Sequence, residues 1–271
     1  MPASDQPRDF GTQDVVICAL KAHQAWHECK RFSPLLGADT SVVTATNGIP
    51  WWYFYGPADH WRAITWNRWI TAGGSGMLSA QGAPLAASWM RLARSCPRAS
   101  WYTMSSSASP FGEPNGSLSS CVQALSQAFV QAGFEAPVRD NIRWNVWLKL
   151  WGNACFNPIS LLTGATLDQI TGEPGLRSIC TSVMKECRLV ANALRIEIPE
   201  AVIVRRLDVA GLATGHKMSM LQDLESDRSI EIDALVRAVH ELGRLTQVST
   251  PTEDILLALA QERGRQAGIY R

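Results

Sequence analysis

The chain contains 271 residues, 46% of them hydrophobic, and carries a formal net charge of +1. This length is sufficient to bury a full core and to form two domains. A charge near zero without a long basic run argues against nucleic acid as the main partner. No apolar stretch approaches the roughly 18 residues of a membrane span, and residues 1–10 lack the features of a signal peptide. We therefore expect a cytoplasmic protein without a membrane partner.

The cysteines and histidines predict no metal centre. The seven cysteines form no C-x-x-C pair and no regular framework, which is typical of reduced, buried thiols. His23 and His27 have the spacing of two ligands on a helix, but they lack the glutamate of an H-E-x-x-H motif. Because no third ligand is in view either, surface histidines are the simpler interpretation.

Two short runs of valine and isoleucine in the first half predict parallel strands. The stretch DVVICALKAHQ (14–24) predicts a buried strand that leads into a helix, and TSVVTATNGIP (40–50) predicts a second strand. Apolar strands that alternate with helices are typical of a doubly wound parallel sheet. Residues 117–133 then have the pattern of an amphipathic helix that ends at Gly133. The stretch FEAPVRD after it predicts one more short strand.

From about residue 140 the pattern becomes helical. Apolar residues recur at helical spacing, with little strand signal, over about 141–155, 174–195, 199–224 and 229–247, and again after Pro251. The sequence therefore predicts an all-helical second half and a domain boundary between residues 139 and 140.

The segment around 57–110 differs from the rest of the chain. Residues 61–111 include arginines but no acidic residue, and they hold nearly half of the chain's tryptophans. Ordinary globular segments mix both charge signs, and a loop of about 50 residues inside a domain is unusual. We hypothesise that this anomalous segment is translated out of frame between two compensating shifts, in the gene or in its sequencing.

Three polar residues interrupt the apolar stretch NVWLKLWGNACFNPIS (145–160). Lys149, Asn153 and Asn157 are spaced i, i+4, i+8, so they form one stripe on one face of a helix. A lysine in a cleft can act as a general acid when burial lowers its pKa, and amides beside it can bind a hydroxyl or a carboxylate. The alternative is a lysine whose ammonium reaches solvent beside amides that serve as caps.

Other polar residues have both a functional and a structural interpretation. Ser219 and Asp223 are spaced i, i+4 on one predicted helix. Glu231 lies in the first turn of the next one, where a carboxylate complements the helix N-terminus and Ser229 serves as N-cap. Lys21 and Asn47 each follow a predicted strand, at the edge of the sheet where nucleotides bind in doubly wound folds.

Two long motifs resemble one family. The stretches IRWNVWLKLWGNACFNPISLLTGATLDQI and HKMSMLQDLESDRSIEIDALV resemble the helical domain of 2-dehydropantoate 2-reductase, also called ketopantoate reductase. The stretches QDVVICALKAHQ and SVVTATNGIPWWYFYG resemble the later part of its nucleotide-binding domain. The resemblance implies an α/β plus all-α fold, with an incomplete Rossmann-like sheet domain over 1–139 and a helical C-terminal domain over 140–271.

The resemblance also implies a reaction and roles for individual residues. The family reduces ketopantoate, a 2-oxo acid, to pantoate with NADPH, on the route to pantothenate and coenzyme A. By position in the motifs, Lys149 would protonate the alkoxide formed when hydride reaches the carbonyl carbon. The resemblance implies that the substrate is bound by Asn47, Asn153, Asn157 and Ser219. It implies that the cofactor is bound by Lys21, Asn47 and Glu231. The stripe on the helix would face the nucleotide domain across a cleft.

Two departures from the family leave a second hypothesis open. The family begins with a strand and a G-x-G-x-x-G turn that binds the pyrophosphate, and this sequence contains no such turn. We expect an N-terminally truncated reductase, with the family's contacts in the segment 57–110 lost as well. The alternative is a catalytically inactive remnant whose helical domain serves only in packing or dimerisation. A homodimer is expected as one form of the protein, and related 2-oxo acids remain alternative substrates.

Overall fold

A computed structural model of the chain describes residues 3–50, 52–54 and 110–270. The chain divides into two compact units, Met1–Val146 and Trp147–Arg271. Because this division falls within a helix that begins at Ile142, the boundary between residues 139 and 140 stays a prediction. The anomalous segment 57–110 lies outside the described residues except for Pro110, so the hypothesis of a shifted frame also stays a prediction.

A parallel strand pair forms the sheet of the first unit. Strand β1 (Val15–Cys18) pairs with β2 (Ser41–Thr44), with Val15 opposite Ser41 and Cys18 opposite Thr44. Helix α1 (Ala22–Glu28) and a 3₁₀ helix (Cys29–Leu35) connect the two strands. Every residue of β2 is buried, the polar Ser41 and Thr44 included. In β1, by contrast, Val15 and Ile17 are exposed, so the prediction of a buried strand there is wrong for these two side chains. This strand–helix–strand arrangement confirms the predicted α/β character of the first half.

Helix α2 (Ser120–Gln131) contributes to the described core of this unit. It begins after Ser119, whose hydroxyl accepts the N–H of Val122, and it ends before Gly133, whose φ is +88°. Its apolar face packs Val122 and Leu125 against a buried cluster that also contains Val43, Phe111 and Ala136.

The stretch FEAPVRD differs from its prediction as a strand. Among the described residues, Phe111 and Val138 form an isolated parallel bridge, and the stretch has no longer strand. The N–H of Phe111 donates to the carbonyl of Pro137 at 2.9 Å, and the N–H of Arg139 donates to the carbonyl of Phe111 at 2.7 Å. Because a proline has no N–H to contribute to a ladder, Pro137 limits the pairing to this short contact.

The described part of the second unit is helical throughout. Its helices are α3 (Ile142–Thr163, which begins in the first unit), α4 (Leu167–Gly172), α5 (Pro174–Ala193), α6 (Ala201–Gly211), α7 (Ser219–Glu225), a π-helical turn (Asp233–Arg237) that continues into α8 (Ala238–Thr246), and α9 (Pro251–Gln266). Among the helices that the structure describes, none has the length and apolar character needed to cross a bilayer.

Helix boundaries in this unit differ from the predicted ones at three places. Helix α3 continues through Pro158 to Thr163, although an interior proline costs a helix roughly 3 kcal/mol. Burial of Ile159 and Leu161 after the proline offsets that cost. The predicted helix 199–224 is divided into α6 and α7 by a turn with Gly215 at φ +70°. Helix α4 was not predicted, because only one turn and a half of periodic sequence marks it.

A buried acid, Glu253, lies at the start of α9, next to α5. The Glu186 carboxylate, on α5, accepts the backbone N–H groups of Thr252 and Glu253 at 3.0 Å each, and so caps α9. The side chain of Glu253 is fully buried, and neither carboxyl oxygen has a hydrogen-bond partner among the described residues. Burial, together with the negative charges of Glu186 and Asp254, raises the pKa of Glu253 well above its ordinary value.

The raised pKa of Glu253 predicts a stability that falls as pH rises. Below about pH 4.5, the ordinary value for a glutamate, the group is protonated in both folded and unfolded chains. Above that pH the unfolded chain releases the proton first, so folding becomes less favourable until the folded group also ionises. Relative to Glu253→Gln, the free energy of unfolding of the wild type should decrease by about 1.4 kcal/mol per pH unit in this window.

Urea unfolding at a series of pH values measures this difference. Glu262→Gln, an exposed change on the same helix, is the matched control and should follow the wild type. Parallel stability curves for the wild type and Glu253→Gln would show that Glu253 is ionised in the folded protein.

Candidate functional site

The rotation of helix α3 determines where the predicted stripe points. Trp147 and Trp151 are completely buried, and the indole N–H of Trp151 donates to the carbonyl of Met184 on α5 at 2.7 Å. With these two rings in the core, Lys149 and Asn153 are left half-buried on another face of the helix. Lys149 and Asn153 thus lie on one face of the helix, as their spacing predicts.

Asn157 joins the stripe to helix α7. Its side chain is fully buried, and its Oδ1 accepts both the Ser219 hydroxyl at 3.1 Å and the backbone N–H of Met220 at 3.0 Å. Its Nδ2 donates to Asn153 Oδ1 at 3.4 Å. The carbonyl oxygen of Asn157 is therefore used to cap α7 and to orient Ser219, whereas Ser219 itself is exposed. Asn153, Asn157 and Ser219 form one hydrogen-bonded chain.

Lys149 and Glu231 are coupled electrostatically. Burial lowers the pKa of Lys149 below its ordinary value, and the negative charge of Glu231 partly offsets this effect. Glu231 is only 7% exposed. It lies just before the helical residues that lead into the π-helical turn, and its carbonyl accepts the N–H of Leu235 at 3.2 Å. Glu231 thus occupies the N-cap position in place of the predicted Ser229, and a carboxylate there complements the helix N-terminus.

Asp223 is a further buried charge near the end of α7. Its side chain is paired with Arg228, whose Nε lies 3.0 Å from Oδ1 of Asp223. The backbone N–H of Arg228 also donates to the carbonyl of Asp223 at 2.8 Å. This pair closes the turn that leads from α7 toward Glu231. The spacing of Ser219 and Asp223 placed both on one helix, but it did not indicate a partner five residues further along.

Lys21 and Asn47 lie at the same edge of the parallel sheet in the first unit. Each follows its strand by three residues, and the N–H of Ala45 donates to the carbonyl of Cys18 at 2.8 Å, which joins the two strand ends. Both side chains are half-buried. Carboxyl ends of parallel strands are where nucleotides bind in such sheets. The prediction that both residues line this edge agrees with their positions.

Arg143 is a residue of this unit that the sequence patterns did not single out. Its Nε donates to the carbonyl of Tyr53 at 2.9 Å, and its guanidinium lies 5.8 Å from the ring of Trp52 and 5.6 Å from that of Tyr53. Burial lowers the pKa of Arg143, and the negative charge that Tyr53 can carry opposes the change. Arg143 thus holds the segment that follows Asn47. Its only sequence signal was a cation at the start of an apolar helix.

The fold and these side chains define a class of protein. A Rossmann-like parallel sheet is followed by a helical domain that carries a lysine, two asparagines and a serine in one polar group. Residues 141–264 match the family model described as "Ketopantoate reductase PanE/ApbA C terminal". The class is therefore that of two-domain oxidoreductases related to ketopantoate reductase.

Two relatives show the family itself. The 2-dehydropantoate 2-reductase of Mesorhizobium japonicum is 41% identical over 270 residues, which are 99% of this chain and 82% of that protein. A crystal structure from Ralstonia solanacearum MolK2, assigned as a ketopantoate reductase, is 30% identical with a TM-score of 0.81. The similarity covers 98% of this chain and 81% of the Ralstonia solanacearum chain. The chain belongs to the 2-dehydropantoate 2-reductase family.

A more distant structure shares the fold. It is a D-mandelate dehydrogenase, solved with NADH and anilino(oxo)acetate, that is 17% identical with a TM-score of 0.73. The similarity covers 95% of this chain and 78% of that one. At this identity the comparison concerns the fold alone.

The buried position of Asn157 predicts a large effect of its removal on stability. Asn157→Ala leaves the Met220 N–H and the Ser219 hydroxyl without their acceptor, at a cost of roughly 1–3 kcal/mol for a buried group that loses its partner. Urea unfolding followed by tryptophan fluorescence measures the loss. Asn145→Ala, a half-buried position on the same helix, is the control. Equal losses in the two variants would contradict the bridging role of Asn157.

Proposed function

We propose that the protein reduces ketopantoate, or a closely related 2-oxo acid, to the 2-hydroxy acid with NADPH. The observation that carries the proposal is the half-buried Lys149, coupled to Glu231 and aligned with Asn153 on one helix face. The family assignment supports ketopantoate as the substrate and the route to pantothenate as the pathway. We also propose a cytoplasmic location, which the same assignment supports.

The proposed reaction needs a proton donor beside the substrate carbonyl. A bound reduced nicotinamide supplies the hydride. Lys149 then donates a proton from Nζ to the oxygen of the former ketone. Because its pKa is lowered, that pKa lies closer to the working pH, as suits a general acid. Glu231 offsets the burial of Lys149, so that the lysine is still protonated before it transfers its proton.

The polar group around Lys149 suits a 2-oxo acid. A carboxylate accepts hydrogen bonds, so the amide N–H groups of Asn153 fit one of its oxygens. The exposed hydroxyl of Ser219 donates to Asn157 Oδ1, and its own oxygen remains able to accept a hydrogen bond from a substrate hydroxyl. In this proposal Asn157 acts by orienting Asn153 and Ser219, because its own oxygen is already satisfied by two protein donors.

The sheet edge in the first unit fits part of a dinucleotide. Lys21 offers a cation and Asn47 an amide at the carboxyl ends of two parallel strands, and these groups suit a phosphate or ribose. We propose that Lys21, Asn47 and Glu231 bind the cofactor and that Asn47 also binds the substrate. The preference for NADPH over NADH is proposed from the family assignment. Self-association into a homodimer stays a prediction.

Turnover of ketopantoate with NADPH tests the proposal directly. Lys149→Ala should lower kcat by about 10²–10⁴-fold, the usual contribution of a general acid, while NADPH still raises the melting temperature. Lys185→Ala, at an exposed position on α5, should leave both unchanged. A wild-type chain without turnover and without a thermal shift on NADPH would favour the inactive remnant that serves only in packing or dimerisation.

The coupling of Lys149 to Glu231 predicts a shift in the pH profile of kcat. Glu231→Gln removes a negative charge that raises the pKa of Lys149, so that pKa should fall and the loss of activity at alkaline pH should begin at a lower pH. Glu225→Gln, an exposed carboxylate paired with Lys217, should keep the wild-type profile. An unchanged alkaline limb in Glu231→Gln would show that Glu231 does not influence the pKa of the proton donor.

A further inference from the structure

A π-helical turn begins two residues after Glu231. The turn spans Asp233–Arg237 and is followed without interruption by α8. Turns of this kind are rare and occur frequently at functional sites. Because the carbonyl of Glu231 accepts the N–H of Leu235 at 3.2 Å, the backbone direction at Glu231 depends on the geometry of this turn.

One hydroxyl group joins the turn to the segment after α9. Tyr270 Oη donates to Asp233 Oδ1 at 2.8 Å and accepts from Arg237 at 3.0 Å and from Gln261 Nε2 at 3.1 Å. Arg237 Nε closes the triangle with a bond of 2.8 Å to the same oxygen of Asp233. Burial and the charge of Asp233 raise the pKa of Tyr270, so its hydroxyl remains a donor.

The backbone is fastened on the other side of Glu231 as well. The N–H of Ile230 donates to the carbonyl of Ile269 at 3.3 Å, and the N–H of Ile269 donates to the carbonyl of Gly264 at 3.0 Å. A Cβ at Gly264 would lie 2.6 Å from Cβ of Tyr270 and 2.7 Å from Cδ1 of Ile230. The segment 268–270 is thus packed tightly between α9 and the residue that precedes Glu231.

We propose that Tyr270 is a positioning residue that holds Glu231 in place opposite Lys149. Residues on both sides of Glu231 are tied to the segment 268–270, by the Ile230–Ile269 bond before it and by the Asp233–Arg237–Tyr270 triangle after it. In this role Tyr270 acts through the turn, by its hydrogen bonds to Asp233 and Arg237. This inference rests on the proposed function, since it assigns to Glu231 the task of sustaining the charge of the proton donor.

Tyr270→Phe removes the hydroxyl and keeps the ring. Loosening of Glu231 should lower kcat by about two- to tenfold, the equivalent of one ordinary hydrogen bond, and should move the alkaline limb to lower pH, as Glu231→Gln does. In a Glu231→Gln background the same change should have little further effect. Thr250→Val is the matched control, because it removes the bond from Thr250 to Asp254 at the start of α9 and should not move the limb.

A second readout does not require turnover. The rate at which Lys149 is modified by an amine-reactive reagent, followed by mass spectrometry over a range of pH, reports how readily that lysine loses its proton. Tyr270→Phe should raise this rate at a given pH, and Thr250→Val should not. Should Tyr270→Phe fold poorly, Arg237→Lys, which disturbs the same triangle, takes its place.

The outcomes separate this inference from the proposed function. A shifted labelling profile in a protein that does not turn over ketopantoate would support the positioning role and reject the reaction. Unchanged labelling and an unchanged pH profile in Tyr270→Phe would overturn the positioning role, whether or not the wild type is active. A shift of the same size in Thr250→Val would also overturn it, since general loosening would then be the cause.

Discussion

The hydrogen bonds of the buried Asn157 amide are the constraint on which the candidate site depends. A primary amide without access to water must find partners inside the protein, because each unsatisfied polar group costs free energy. Asn157 meets this requirement with Ser219 and Met220 of α7 and with Asn153 of its own helix. Any rotation of α3 or shift of α7 would break these bonds. The directions of Asn153 and Ser219 are therefore properties of the packed core.

Burial disfavours the charged forms of both Lys149 and Glu253 in the second unit, but the charges around the two groups differ. Lys149 is half-buried with the carboxylate of Glu231 nearby, so the cost of desolvation is moderated and the lysine can exchange a proton. Glu253 is fully buried, and the negative charges of Glu186 and Asp254 add to the effect of burial on its pKa. Its ionised form is therefore strongly disfavoured. The first arrangement suits a reaction, whereas the second only reduces stability as pH rises.

The backbone on both sides of Glu231 departs from regular helix. Asp227, with φ at +52°, lies in the turn between α7 and Glu231, and Gly268, with φ at +70°, allows the segment after α9 to fold back. The π-helical turn adds a third irregularity. Such conformations persist only where surrounding contacts determine them. Here the contacts are the Asp223–Arg228 pair and the bonds made by residues 269 and 270.

The sequence by itself determined the local features: two short strands, an amphipathic α2, and a lysine and two asparagines on one helix face. Each depends on residues within a few positions of one another, where periodicity acts. It could not determine that α3 continues past Pro158 or that 199–224 is two helices, because burial and loop geometry outweigh local preference there. Only the tertiary structure decided which distant residues meet. Asn157 and Ser219 are 62 residues apart, and no periodic pattern carries the packing energy that joins them.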